Sequence, residues 1–200
     1  MRTSPLSALI TSVLLLAAGH AQAQQEPASA RRPALLRLGL GSSLNGNGDY
    51  PVLKASLEYA PQLGRCFRLG SRLAYIGNSK PYEIGQGYSV PQSYRAINVE
   101  QEAYWLPFGA QKTVEFGVGV GGFVGYAKSR SFWMAGVRNQ VLVYEASNYE
   151  GAHVGYIVSL NLDVALTPDQ RWRLGGRLAL QNDTRATVLP GGQFQVSRKW

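Results

Sequence analysis

After Pro33 the chain alternates apolar and polar residues at period two, with turn residues between the runs. The alternation predicts eight strands. Leu35–Ser42 sets Leu36, Leu38 and Leu40 against Arg37, Gly39 and Gly41. Val52–Tyr59 sets Leu53, Leu57 and Tyr59 against Lys54 and Glu58, and Cys66–Ile76 sets Phe67, Leu69 and Leu73 against Arg68 and Arg72. Tyr94–Leu106 opposes Ile97, Val99 and Trp105 to Glu100, Glu102 and Tyr104. Thr113–Tyr126 opposes Val114, Phe116, Val118 and Val120 to Glu115, Gly117, Gly119 and Gly121. Ala152–Leu166 carries seven consecutive apolar alternates, from Val154 to Leu166, facing residues that include His153, Ser159 and Asp163. Arg171–Gln181 sets Trp172, Leu174 and Leu178 against Arg173 and Arg177, and Gln193–Trp200 closes the chain. No helix is needed, and the pattern predicts one all-β domain.

Period two does not say which face is wet, because a membrane barrel displays the apolar face that a soluble sheet hides. Four features choose. Connections after strands two, four and six are short, whereas those after strands one, three, five and seven run about 8 to 25 residues. Aromatic residues on the apolar face gather at strand ends: Tyr59, Phe67, Trp105, Phe116, Trp172 and Trp200 beside the short turns, and Tyr75, Tyr126 and Tyr156 toward the long connections. The polar face is rich in glycine, which weakens a solvent-facing strand but suits a narrow lumen filled by its own side chains. Finally, the runs exceed the mode of about 5 to 6 residues in globular sheets and match the roughly 9 to 11 of a tilted spanning strand. Together they predict an eight-stranded antiparallel up-and-down transmembrane β-barrel over residues 35–200. A secreted soluble barrel carrying a hydrophobic ligand is the competing reading.

Residues 1–23 read as a signal peptide: Arg2, the apolar stretch Leu6–Ala18, then Ala21-Gln-Ala23 in the small-x-small pattern of a cleavage site. The stretch is shorter than the about 20 apolar residues of a spanning helix. Residues 24–34, polar and Pro-containing, read as an N-terminal tether. Export to the outer membrane is the expected localisation.

Composition narrows the chemistry. Only 16% of residues are charged, while 23 are Gly and 11 are Tyr, which argues against disorder and helical bundles. One cysteine and two histidines make a metal site improbable, and no cofactor is implied. The net charge of +8 could suggest nucleic acid, but export and the absence of long basic runs argue against it.

The lumen-facing charges are Arg37, Lys54, Glu58, Arg68, Arg72, Glu100, Glu102, Glu115, Asp163, Arg171, Arg173 and Arg177. Unpaired charge in so narrow a space is costly, so they are expected to form a paired network that plugs the barrel. Glu102 and Glu115, on adjacent strands, would need arginine between them. Paired carboxylates could also act as acid and base, but a plugged lumen offers no substrate path.

The chain resembles the small eight-stranded outer-membrane barrels of Gram-negative bacteria, the outer membrane protein X and outer membrane protein A membrane-domain kind. The resemblance covers Leu35–Trp200 and rests on strand pattern, leader and terminal aromatic. It implies that Trp200 serves the barrel assembly machinery as a recognition signal. Some small barrels are lipid A deacylases with a His-x-Ser pair; here Gly155 stands where the serine would follow His153. Cys66 reads as a small packing residue. Gly117-x-Gly-x-Gly-Gly122 lies within a strand and lacks the helix of a phosphate loop.

The long connections carry aromatic residues beside cations: Tyr82 and Tyr88 in Gly77–Ser93, and Lys128, Arg130, Phe132, Trp133 and Arg138 in Lys128–Gly151. They are candidates for an unknown extracellular partner or lipopolysaccharide phosphates. The expected function is a non-enzymatic barrel with a structural or surface-interaction role. The alternatives are a narrow porin-like pore for small solutes, a lipid-modifying enzyme and the soluble ligand carrier.

Overall fold

The computed structural model describes residues 33–45, 50–85, 87–138, 141–184 and 188–200. The expected leader, and the tether up to residue 32, lie outside the described residues. Eight antiparallel strands close into a barrel in chain order: β1 (Ala34–Asn45), β2 (Tyr50–Pro61), β3 (Phe67–Gly85), β4 (Tyr88–Trp105), β5 (Val114–Arg138), β6 (Val141–Ala165), β7 (Trp172–Asp183) and β8 (Val188–Lys199). β8 pairs back onto β1 from Leu35↔Lys199 to Ser43↔Gly191, so the sheet has no edge along its closed part. Ala34, assigned above to the tether, already belongs to β1 and exchanges backbone hydrogen bonds with Trp200.

Alternation sorts the side chains inside out relative to a soluble barrel. Leu38 and Leu178 stand outward at 62% and 64% exposure, whereas Glu100 and Arg173, on the lumen parity, are at 0%. An apolar belt of Leu, Val, Ile and aromatic residues thus wraps a barrel filled with charge. Toward the long-hairpin end the filling turns apolar, where Tyr50, Val52, Ile76, Tyr94, Ala96, Ala127 and Leu189 form a packed cluster.

The long connections turn out to be strand. β3–β4 and β5–β6 continue past their outer neighbours as two-stranded hairpins, pairing to Gly85↔Tyr88 and Arg138↔Val141. Tyr82, Tyr88, Lys128, Arg130, Phe132, Trp133 and Arg138 therefore lie on strands, not in loops. Two features hid this. Both faces of a projecting ribbon are wet, so its alternation fades; and Pro81 and Pro91 read as strand breakers. The two prolines face each other at Pro81↔Pro91, beyond the last β2–β3 pair (Leu53↔Gly77) and the β4–β5 pairing, which stops at Ser93↔Arg130. Their missing N–H groups point away from the hairpin, where no strand waits to accept them.

Candidate functional site: the lumen charge network

Six buried cations (Arg37, Lys54, Arg68, Arg72, Arg173 and Arg177) share the lumen with five buried carboxylates (Glu58, Glu100, Glu102, Glu115 and Asp163). Strand register sets up their pairing. Reading across neighbouring strands from β7, Arg173 stands opposite Ser197, Ser197 opposite Arg37, Arg37 opposite Glu58, Glu58 opposite Arg72, and Arg72 opposite Glu100. From Arg37 onward the sign alternates at each step, so every cross-strand neighbour attracts.

Arg72 is the hub. Its guanidinium donates to Glu100 at 2.8 Å, to Glu102 at 2.6 Å, to the Tyr104 hydroxyl at 2.7 Å and to Glu58. Arg37 bridges Glu58 at 3.1 Å and Asp163 at 2.5 Å, while Arg177 donates to Glu102. Lys54 donates to Glu100 at 3.1 Å and to Gln181 at 2.6 Å, and the Gln181 amide donates to Glu100 at 2.7 Å. Near the short turns Glu115 is shared by Arg68 at 3.0 Å and Arg173 at 3.5 Å, and Arg173 also donates to the Lys112 carbonyl at 2.8 Å.

The expected closeness of Glu102 and Glu115 does not occur. Glu102 faces Gly121 across β4–β5, and Glu115 lies near the start of β5, opposite Asp163 on β6. Arg171, expected in the lumen, lies in the β6–β7 turn, exposed and paired with Asp169 at 3.3 Å. Arg37, Glu58, Arg68, Arg72, Glu100, Glu102, Glu115, Asp163, Arg173 and Arg177 all lie inside.

Glycine makes room for these groups. A Cβ on Gly70 would come within 2.5 Å of Glu58 Oε1 and 2.6 Å of the Tyr104 ring, and one on Gly119 within 2.5 Å of Ser159 Oγ. Neutral donors missing from the sequence expectation complete the network. Ser159 Oγ donates to Glu102 at 2.6 Å, and Asn161 Nδ2 donates to Ser159 at 3.1 Å. Lumen parity, already visible along Ala152–Leu166, marks both.

Toward the hairpin end His153 lies between Asp183 (3.0 Å from Nδ1) and Asn98 (2.8 Å from Nε2), with Phe123 edge-on at 5.2 Å. Ser159 donates to Glu102, whereas His153 meets Asp183 and Asn98. Cys66 is half-buried at the turn end. Among the expected interaction residues, Tyr82 packs on Phe132 at 5.2 Å, Lys128 pairs with Glu150 at 2.8 Å, and Tyr88 is half-buried. The side chains of Trp133 and Arg138 lie outside those described. Trp200 is exposed, with the Arg198 guanidinium over its ring at 4.2 Å and over that of Trp172 at 5.5 Å.

No protein-family model and no curated protein matches the chain. Solved structures do. The chain is similar to Ail, the attachment invasion locus protein of Yersinia pestis, with TM-score 0.56 at 9% identity, covering 86% of this chain and 100% of that one. It is similar to the outer membrane protein OprG of Pseudomonas aeruginosa, with TM-score 0.55 at 8% identity over 84% and 95% of the two chains. A major outer membrane protein of Thermus thermophilus gives 0.52 at 10% identity over 84% and 99%. At such identities the likeness is one of fold, and the fold is the closed eight-stranded antiparallel barrel of the small outer-membrane proteins.

Proposed function

We propose that this chain is a non-enzymatic outer-membrane barrel, delivered by its leader, with a structural and surface-interaction role carried by the two projecting hairpins. The observation that carries the reading is the inverted distribution of polarity. Water around the barrel would face a broad apolar belt, broken by few polar pairs such as Ser71 and Gln101, while charge was buried, and soluble monomers rarely expose contiguous apolar patches beyond a few hundred Å². A bilayer reverses both costs.

The lumen supports a plug. Arg177 on β7 reaches Glu102 on β4, and Arg37 on β1 reaches Asp163 on β6, across the lumen; Arg72 ties Glu58, Glu100 and Glu102 beside them, and Ile76 and Tyr94 pack above, so a solute path would have to break several ion pairs at once. In the same reading Trp200 presents the last strand to the assembly machinery, and lipid and lipopolysaccharide surround the belt.

Cell fractionation with gel mobility before and after boiling tests the reading. Outer-membrane recovery with a mobility shift supports it. A soluble periplasmic protein without a shift overturns it and turns the search toward a bound hydrophobic ligand.

A further inference from the structure

Among the described residues, the outer rim of the belt is charged in one sector only. On β4 and β5 the outward residues Arg95 and Lys128 stand directly opposite each other, and Arg130 follows two positions along β5, opposite Ser93. Like charges directly opposite across a sheet destabilise it, so the arrangement calls for an anion. Glu150, opposite Lys128, meets that ammonium at 2.8 Å and accepts from the Tyr126 hydroxyl at 3.3 Å. Arg95 and Arg130 have no carboxylate partner among the described residues. Elsewhere on the rim the outward positions among the described residues are uncharged: Ser42, Leu44, Leu53, Asn182 and Pro190.

Depth says which anion fits. From Trp105, in the aromatic ring of the short-turn end, β4 rises to Arg95 by roughly 33 Å along the strand. At a tilt of about 40° that is about 25 Å along the barrel axis, the height of the apolar band in such barrels. Directly below Arg95 and Lys128 stand Ile97 and Tyr126, and below those Val99 and Val124, all exposed. The Tyr75 hydroxyl rises to the same rim, 2.6 Å from where a Cβ on Gly77 would sit, and Gly77 faces Arg95.

We infer that Arg95, Lys128 and Arg130 form a binding site for the phosphate groups of an outer-leaflet lipid, whose acyl chains lie along Ile97, Val99 and Val124. The inference rests on the membrane reading above. The belt beneath the cations selects lipid over soluble anion: a free phosphate gains nothing from apolar surface below it, whereas a phospholipid or phosphorylated glycolipid engages both. The guanidiniums of Arg95 and Arg130, without a carboxylate partner among the described residues, supply the forked donors that phosphate oxygens accept.

The test titrates folded protein in zwitterionic micelles with fluorescent lipid A, which carries phosphate and acyl chains, and separately with inorganic phosphate. Variants are Arg95→Gln/Arg130→Gln and, at the opposite rim, Arg198→Gln. The double variant should bind lipid A about thirtyfold more weakly, with Arg198→Gln unchanged. Gel mobility of each variant before and after boiling, in the same micelles, checks that it is folded. Equal lipid A binding by folded wild type and double variant overturns the site. Equally tight binding of inorganic phosphate overturns the lipid assignment. Failure of the wild type to fold in micelles would overturn the membrane reading itself, a separate result.

Discussion

Glu115 and Asp163 stand directly opposite each other across β5 and β6, yet their carboxylates turn to different arginines. Asp163 takes Arg37 at 2.5 Å, and Glu115 takes Arg68 at 3.0 Å and Arg173 at 3.5 Å. A like-charged pair that would push the strands apart becomes a tie between β1, β3, β5, β6 and β7.

Removing a hub should therefore cost more than removing a peripheral member. Arg72→Leu takes a cation from Glu58, Glu100 and Glu102 at once, leaving them to Arg37, Lys54 and Arg177, and should lower stability by about 3–5 kcal/mol. Arg173→Leu leaves Glu115 with Arg68 and should cost less. Urea unfolding of the reconstituted protein, followed by gel mobility, reads both; equal costs would remove Arg72 from the centre of the network.

Room in the lumen is a second test. Gly70→Ala drives a methyl against Glu58 and Tyr104 and should destabilise by about 1–3 kcal/mol. At outward Gly176 a Cβ would meet open space, with no heavy atom within 4 Å. Gly176→Ala should therefore be neutral or stabilise by up to about 1 kcal/mol. The same unfolding assay separates them, and a reversed order would mean the two faces have been exchanged.

In the β6–β7 turn Gln170 adopts φ 54°, a left-handed conformation that costs a side chain roughly 1–2 kcal/mol. Gln170→Gly should raise the unfolding midpoint, with a gain of up to about 1 kcal/mol after the added freedom of the unfolded glycine. A lowered midpoint would show that the Gln170 side chain holds the turn by a contact worth more than the backbone cost.

The plug predicts no steady single-channel conductance in planar bilayers. Lys54, Gln181 and Glu100 are mutually hydrogen-bonded across the lumen, and the apolar cluster around Ile76 lies beyond them. Resolved current steps from the wild-type protein would favour the narrow pore instead.

Fold and face were legible in the sequence because period two survives wherever the two faces meet different surroundings, as from Val154 to Leu166. The charged positions were legible as lumen residues by the same parity. Their partners were not. Register depends on how far each hairpin slides, and only the paired strands place Glu115 beside Asp163 rather than Glu102. The hairpin extensions carry no clear alternation where both faces are wet, around Pro81 and Pro91. Asp183 lay just past the expected end of β7, so its meeting with His153 had no sequence signal.

Fluorescence in vesicles whose lipids are brominated on the acyl chains tests the inside-out barrel most directly. Trp105, Trp172 and Trp200 face outward at the turn end of the belt. Quenching of their emission relative to unbrominated vesicles is the predicted result. Emission unchanged by bromine would contradict it and place the apolar face inside a soluble shell.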